Sequence, residues 1–566
     1  MSSFLLLFSL LSSVVLADVV NLHWNITWVT AAPDGFARPV IGINGQWPCP
    51  ELRAKLGDQV IVTIDNQLGN QSTGLHWHGI HQTGTSYMDG ASGVSQCPVA
   101  PGQQFTYNWT ADAAGTYWYH SHDMGQYPDG LWGPLIIEDP NPPFEYDEEI
   151  ILTLSDWYHE QSADLISAYQ SPSGEALDGV APPSGGALMN SGKNITIHVK
   201  PNKTYFIRVI CPASYPGHAW LFQDHNQTTV EVDGTYVQPK EANGNGLLTR
   251  IAPGQRQGVL IKTFNDTSKN YAIWDTMDVN MLFINKGIIP PPMNYNTNVT
   301  GWLVYNESAP LPDPPVFYSL GNANFFDDLD YVPLDEEPLL EPVDHQIVLD
   351  TNSVNISGIS RFEINNYTYL PAKVPSFYSA ITTGNYSSDP EVYGHVNPIV
   401  VKKGEIIEIV INNLNTNLHP WHMHGHQFQV LDRPDPMFGK FNGTFRTGYP
   451  HAAPVRRDTF MLQDQSWGVI RFKADNPGVW LLHCHIEAHT SSGFVATIIE
   501  APEELAQTNF RIPQDHIDAC KTYPMKYFGN AAGNIAPTNL TGANVDVPSY
   551  DYGAMYPPGT PPPFKR

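Results

Sequence analysis

The stretch WLLHCHIEAHTSSGF (480–494) sets Cys484 between His483 and His485, with His489 four residues beyond. A cysteine in that company could be half of a disulfide, a zinc ligand or part of an electron relay. The rest of the chain narrows the choice. Five His-x-His pairs occur: His76/His78, His120/His122, His422/His424, His424/His426 and His483/His485. With 21 histidines in 566 residues, chance alone gives about one such pair. On a strand, residues i and i+2 share a face, so each pair presents two imidazoles to one side. A structural zinc needs only four ligands in a closed tetrahedron, far fewer than this set offers. Many imidazoles with a lone thiolate favour copper, and two histidines with a cysteine and a weak axial neighbour form the blue-copper pattern. Several coppers are therefore expected. If 480–486 is a strand, Cys484 faces one side while His483 and His485 face the other. Cys484 can then share one copper with His489 and a further histidine, while its neighbours reach other coppers. The backbone makes a short covalent path between them.

The elements that must carry these groups are β in texture. GDQVIVTIDNQLGNQSTGLHWHG (57–79) and KGEIIEIVINNLNTNLHPWHMHG (403–425) share one plan: a β-branched run, an Asn-rich turn, a histidine cluster. FTYNWTADAAGTYWYHSH (105–122) and GVIRFKADNPGVWLLHCH (468–485) form a second matching pair. This is an internal repeat at domain scale. The middle third, for example NITIHVKPNKTYFIRVI (194–210), alternates in the same way without clustered histidines. Proline- and acid-rich stretches at 138–149 and 309–315 read as linkers. Only short helices are expected, near SADLISAYQ and PEELAQ. The expected organisation is a leader (1–17), three β-sandwich domains (18–140, 141–312, 313–525) and a tail (526–566), with metal chemistry in the first and third.

FLLLFSLLSSVVL (4–16) is an apolar run too short to span a bilayer, followed by a small-residue cleavage pattern at Ala17. With 14 Asn-x-Ser/Thr sequons, it points to an exported glycoprotein, extracellular or in the cell wall. The net charge of −27 argues against nucleic acid and anionic membranes as partners, and a soluble monomer is expected. In an oxidising compartment four of the five cysteines (Cys49, Cys97, Cys211, Cys484, Cys520) could form two disulfides. Cys484 is the natural one left over.

Taken together and in order, HWHG, MDGASGVSQCP, GTYWYHSH, HPWHMHGH and HCHIEAH resemble the multicopper oxidases, in particular the fungal laccase and ferroxidase branches. The resemblance implies an all-β fold of three consecutive cupredoxin-like Greek-key sandwiches carrying four coppers: one type 1, one type 2 and two type 3. It implies type 1 copper on His419, Cys484 and His489, and type 2 on His76 and His422. His78, His120, His122, His424, His483 and His485 would hold the type 3 pair; His426 is not a ligand in the pattern. Phe494 takes the axial position, where an apolar residue cannot donate to copper and should raise its potential. Asp89 and Glu487 match the carboxylates beside the trinuclear cluster, as proton donors for O₂ reduction or as supports for histidine N–H groups. Cys97–Cys520 and Cys49–Cys211 would be the disulfides.

The substrate is read from acids. Ferroxidases of the family bind Fe²⁺ through carboxylates near type 1 copper. Here Ala181, Phe283 and Asn415 stand where three of them would lie, although Asp278 remains, and the membrane anchor of that branch is missing. Laccases carry an acid where this chain has Gly185; Asp278, Glu175 or Asp178 could replace it as base. The resulting expectation is a laccase-like oxidase of phenols or naphthols, with pigment or secondary-metabolite formation as its role and O₂ as acceptor. A secreted Fe(II) ferroxidase is the alternative, and a non-catalytic copper-binding protein a third reading.

Overall fold

The computed structural model describes residues 17–123, 125–171, 185–242, 250–278, 280–282, 296–314, 326–507 and 510–547. The expected leader, save Ala17, lies outside the described residues, as do Glu175, Asp178, Ala181 and Phe283. The architecture is the expected all-β one, three successive sandwiches. The first packs the sheet of Arg38–Ile43, Val19–Ala31, Gln59–Asn66 and Gln104–Thr110 against that of Leu52–Lys55, Trp132–Glu138, Gly115–Ser121 and Leu75–His78. The second has a six-stranded and a four-stranded sheet, and the third a six-stranded and a five-stranded one. Short helices Ser162–Tyr169 and Pro502–Gln507 stand where the sequence places them.

Strand formation follows the alternation. In Gln59–Asn66, Val60, Val62 and Ile64 are fully buried while the residues between them keep some exposure, the signature of a half-buried strand. The repeated segments fold into equivalent hairpin partners. Leu75–His78 pairs antiparallel with Gly115–Ser121, setting His76 opposite His120. His419–Met423 pairs antiparallel with Gly478–Cys484, setting His422 opposite His483.

All four of these strands are buried on both faces, and that places the site. Along Gly478–Cys484, Trp480, Leu482 and Cys484 enter the core of the third sandwich. Val479 and Leu481 instead join the core of the first. The first and third sandwiches are thus packed directly on each other. The chain beyond Gln507 strengthens this union. Asp515 accepts from Thr106 N at 3.0 Å, and Cys520 forms a disulfide with Cys97 across a sequence separation of 423 residues.

The second expected disulfide is corrected: Cys49 and Cys211 are free and buried. Cys49 belongs to the core of the first sandwich, with its Sγ 3.4 Å from the Gly130 carbonyl. Cys211 belongs to the core of the second, so the two side chains fill separate interiors. Thiol titration should accordingly count three thiols in denaturant and none in the native protein. Cys97→Ser should cost about 2–5 kcal/mol of stability, measurable as a lowered Tm.

Candidate metal centre

Strand parity sorts the histidines into two sites. On His419–Met423, His419 is in phase with Trp421 and Met423, which face the third core, whereas His422 and His424 are out of phase and turn toward the first sandwich. The same split separates Cys484 from His483. Cys484 therefore meets His419 inside the third sandwich. Its Sγ lies 3.6 Å from His419 Nδ1 and 3.7 Å from His489 Nδ1. His489 comes from the short helix Glu487–Ser491, directly after the strand. All three are buried and close enough to share one ion.

The second site lies between the first and third sandwiches. His76, His78, His120 and His122 face His422, His424, His483 and His485 with ring centroids mostly 4–6 Å apart. Among the described residues, three overlapping all-histidine trios here have ligand atoms close enough for one ion each, His76/His422/His424, His76/His78/His120 and His122/His424/His483, and a fourth group joins His78 and His422 with Asp458.

The rings are oriented so that one nitrogen is held and the other is left for a metal. His76 Nδ1 lies 2.8 Å from the Asp89 carbonyl, His120 Nδ1 2.9 Å from that of Ser121, and His422 Nδ1 2.9 Å from that of Asp458. The opposite nitrogen, Nε2, is buried without a hydrogen-bond partner in all three. His78 is reversed: its Nε2 faces Asp458 Oδ1 at 3.3 Å and its Nδ1 is the orphan. His424 Nε2 and His483 Nε2 point at each other across 3.1 Å, where two protons cannot both sit. Buried polar nitrogens left unpaired are costly; convergent ones fit metal ions. Burial and neighbouring imidazoles hold His122, His424 and His485 well below the ordinary histidine range. Burial brings His419 and His483 to about 3, and all are thereby neutral ligands. Burial pushes the Cys484 thiol up, so binding must displace its proton. The donors fit copper at both sites: a thiolate with two imidazoles at one, and imidazoles alone at the other.

The two sites meet at one residue. The Cys484 carbonyl is 2.9 Å from His483 Nδ1 and also accepts from Thr490 Oγ1. Phe494 lies beside the cysteine site, its ring 4.9 Å from that of His419 and stacked at 4.4 Å on Phe362.

Of the two carboxylates, Asp89 holds rings, its Oδ2 2.9 Å from His424 Nδ1. Glu487 bonds none of the histidines in the described contacts. It is half-buried beside a small cavity lined by Ser162, Ile166, Ser214 and Tyr215, and the desolvation this brings lifts it to about 7. His426 turns away to Glu500, 2.6 Å distant. Asp458 and Arg256, which bear directly on the site, escaped the sequence reading. Each has its partner some 200 residues away along the chain, and only the RRD run before a strand hinted at the first.

Models of the multicopper oxidase family match residues 25–142, 148–308 and 369–504, and the chain belongs to that family. It is a multicopper oxidase with three cupredoxin-like domains, using O₂ and carrying type 1, type 2 and type 3 copper. It is 45% identical over 537 residues to the iron transport multicopper oxidase fetC of Epichloe festucae, covering 93% of this chain and 84% of that one. Iron transport multicopper oxidase FET3 of Saccharomyces cerevisiae is 38% identical, covering 95% and 84%. Among solved structures, Fet3p, described as a multicopper oxidase that functions in iron import, matches with a TM-score of 0.87 and 36% identity, covering 94% of this chain and 100% of that one. The laccase of Botrytis aclada matches at 0.77 and 25%, covering 94% and 95%.

These relatives overturn the laccase-type phenol or naphthol oxidase, and with it pigment formation. The chain follows the iron transport proteins more closely in sequence and in backbone. The physical premise was also incomplete. Gly185 does not open a pocket: a side chain there would meet the Trp157 carbonyl at 3.3 Å and His159 at 3.4 Å. Of the other acid-poor positions, Ala181 and Phe283 lie outside the described residues.

Cys484→Ser tests the junction. It should abolish the thiolate-to-copper absorption, lower copper content by one per chain and reduce turnover by at least about 10³-fold. Unchanged turnover in the copper-loaded variant would remove Cys484 from the electron path.

Proposed function

We propose that this chain is an exported ferroxidase that oxidises Fe(II) to Fe(III) and reduces O₂ to water. The observation that carries this reading is its likeness to iron transport multicopper oxidases over 93–95% of this chain and 84% of theirs. Export is supported by the Cys97–Cys520 disulfide and the abundant sequons. Among the described residues no helix is long and apolar enough to cross a membrane.

Within this reading His419, Cys484 and His489 would hold type 1 copper, with the apolar ring of Phe494 packed beside them. His76 and His422 hold type 2, and His78, His120, His122, His424, His483 and His485 hold type 3. When bound, copper supplies one-electron chemistry at the cysteine site and four-electron reduction of O₂ at the other. The overall balance is four Fe(II), one O₂ and four protons giving four Fe(III) and two waters.

The chain's own groups serve three tasks. Electrons must leave Fe(II) beside His489, whose ring packs against Tyr215 at 6.3 Å and Phe362 at 4.5 Å. Two residues past Tyr215, the Gly217 carbonyl accepts from the amide of Asp278 at 2.7 Å. Asp278 is buried, with Oδ2 3.4 Å from Arg250 Nε. A carboxylate there offers the hard oxygen donor that Fe²⁺ prefers. Glu487, able to hold a proton near neutrality, is placed to supply protons, while Asp89 keeps His424 in its tautomer.

Oxygen uptake by the copper-loaded protein tests the reading. Saturable Fe(II) oxidation at four Fe(II) per O₂, faster than any phenol in a panel, is expected. Faster turnover of phenols than of Fe(II) would defeat it. Asp278→Ala should raise KM for Fe(II) by about tenfold, equivalent to about 1.4 kcal/mol, with the type 1 absorption retained.

A further inference from the structure

The second sandwich contributes none of the histidines of either site, yet one of its loops reaches the trinuclear cluster. Gly254 sits between the two halves: a Cβ there would lie 3.0 Å from His78 Cε1 and 2.9 Å from His485 Cδ2. Its φ of +86° also disfavours any side chain. The loop is pinned at its base by Cys211, whose carbonyl accepts from Gly254 N at 2.9 Å and whose amide donates to the Gln255 carbonyl at 3.1 Å. At its tip, Gln255 Nε2 donates to the Thr459 carbonyl at 2.9 Å.

Arg256 follows. Fully buried, it grips Asp458 with both arms, Nη1 to Oδ1 at 2.8 Å and Nη2 to Oδ2 at 2.6 Å. Its Nε donates to the Thr116 carbonyl of the first sandwich at 3.0 Å. Asp458 in turn lies 3.3 Å from His78 Nε2 and 3.5 Å from His422 Nδ1. In each ring this is the nitrogen opposite the orphaned one. Asp458 therefore stands behind both imidazoles, one from each half of the cluster: its carboxylate behind His78, and behind His422 its main-chain carbonyl at 2.9 Å with the carboxylate further back. Asp233, which also accepts from Arg457 at 2.7 Å, closes the network behind Arg256 at 3.7 Å.

We infer that Asp458, clamped by Arg256 and backed by the Gly254 wedge, is a positioning residue that sets the angle between His78 and His422, so that the copper-free second sandwich determines the geometry of the trinuclear site. A fork-to-carboxylate pair fixes direction as well as charge. A carboxylate behind a ligating imidazole fixes its tautomer and its plane.

This rests on the ligand assignment proposed above, and His422→Ala is the reference that tests that assignment separately: it must abolish the type 2 EPR signal. The test itself uses copper-loaded, full-length Asp458→Asn and Arg256→Lys, read by EPR, type 1 absorption and stopped-flow. Arg256→Lys keeps the charge and loses the fork, which guards against a variant that fails to fold. Expected are an unchanged type 1 absorption and unchanged anaerobic reduction of type 1 copper by Fe(II). The type 2 hyperfine splitting should be altered, and reoxidation by O₂ at least tenfold slower. A role in stability alone would lower Tm while leaving the hyperfine splitting of the folded fraction as it was. That result, or wild-type reoxidation in both variants, would overturn the inference.

Discussion

Eight imidazoles packed within one buried space can coexist only if all are neutral and each has one nitrogen held. A protonated ring there would face both the cost of burial and the repulsion of its neighbours. A neutral ring with both nitrogens unpaired would forfeit its hydrogen bonds. For six of the eight the protein meets both demands with carbonyls of Asp89, Ser121, Cys484 and Asp458 and with the carboxylates of Asp89 and Asp458. What remains after these bonds is a set of lone pairs aimed inward. Copper resolves a frustration that the fold has built in.

The rest of the architecture serves that arrangement. Because the ring donors come equally from the first and third sandwiches, those two must dock without slack, and a strand buried on both faces accomplishes it. Leu481 and Val479 pack into one core while Leu482 and Trp480 pack into the other. A register slip of one residue would exchange the two faces, sending Cys484 into the interface and His483 into the core. The Cys97–Cys520 disulfide ties the first sandwich to the chain that follows the third, and Arg256 of the second sandwich bridges Asp458 of the third to the Thr116 carbonyl of the first. A buried ion pair is weak support for stability in itself, and removing one partner costs about 3–5 kcal/mol. Its retention here is better understood through the rings it touches.

How much of this was legible in the sequence follows from range. The His-x-His pairs announce themselves because a strand's period of two puts both rings on one face, and the repeat of strand, turn and cluster announces two related domains. The division of Cys484 from His483 and His485 follows from the same parity. Asp458, Arg256 and Gly254 carry no such local mark. Their meaning lies in contacts some 200 residues apart along the chain, which no pattern within a window encodes. Cys49 and Cys211 show the converse error: an even number of available cysteines invites pairing, but each side chain fills its own core.

The substrate was misjudged for a related physical reason. Copper ligands must satisfy a strict geometry, so their residue types are nearly dictated by position. A donor that only passes electrons to His489 faces no such demand. Fe²⁺ needs a few oxygen ligands within reach of the electron acceptor, and carboxylates, carbonyls or amides from several loops can provide them. Three substituted acids therefore weigh less than one altered histidine would. Asn415 illustrates the point: its Oδ1 is an oxygen donor of the right kind, but accepts from Asn417 N at 2.8 Å in a tight turn. It is thus committed to the loop rather than to a cation. Asp278, by contrast, is held through its amide to Gly217, in the segment that also brings Tyr215 against His489. Burial alone raises its pKa, and the Arg250 guanidinium opposes that shift. A second cation would oppose it further, so a divalent ion that approaches Asp278 gains a carboxylate for which burial has left solvation incomplete. On the ferroxidase reading proposed above, Fe(II) would then be drawn to one acid in a dry setting rather than to several in a wet one.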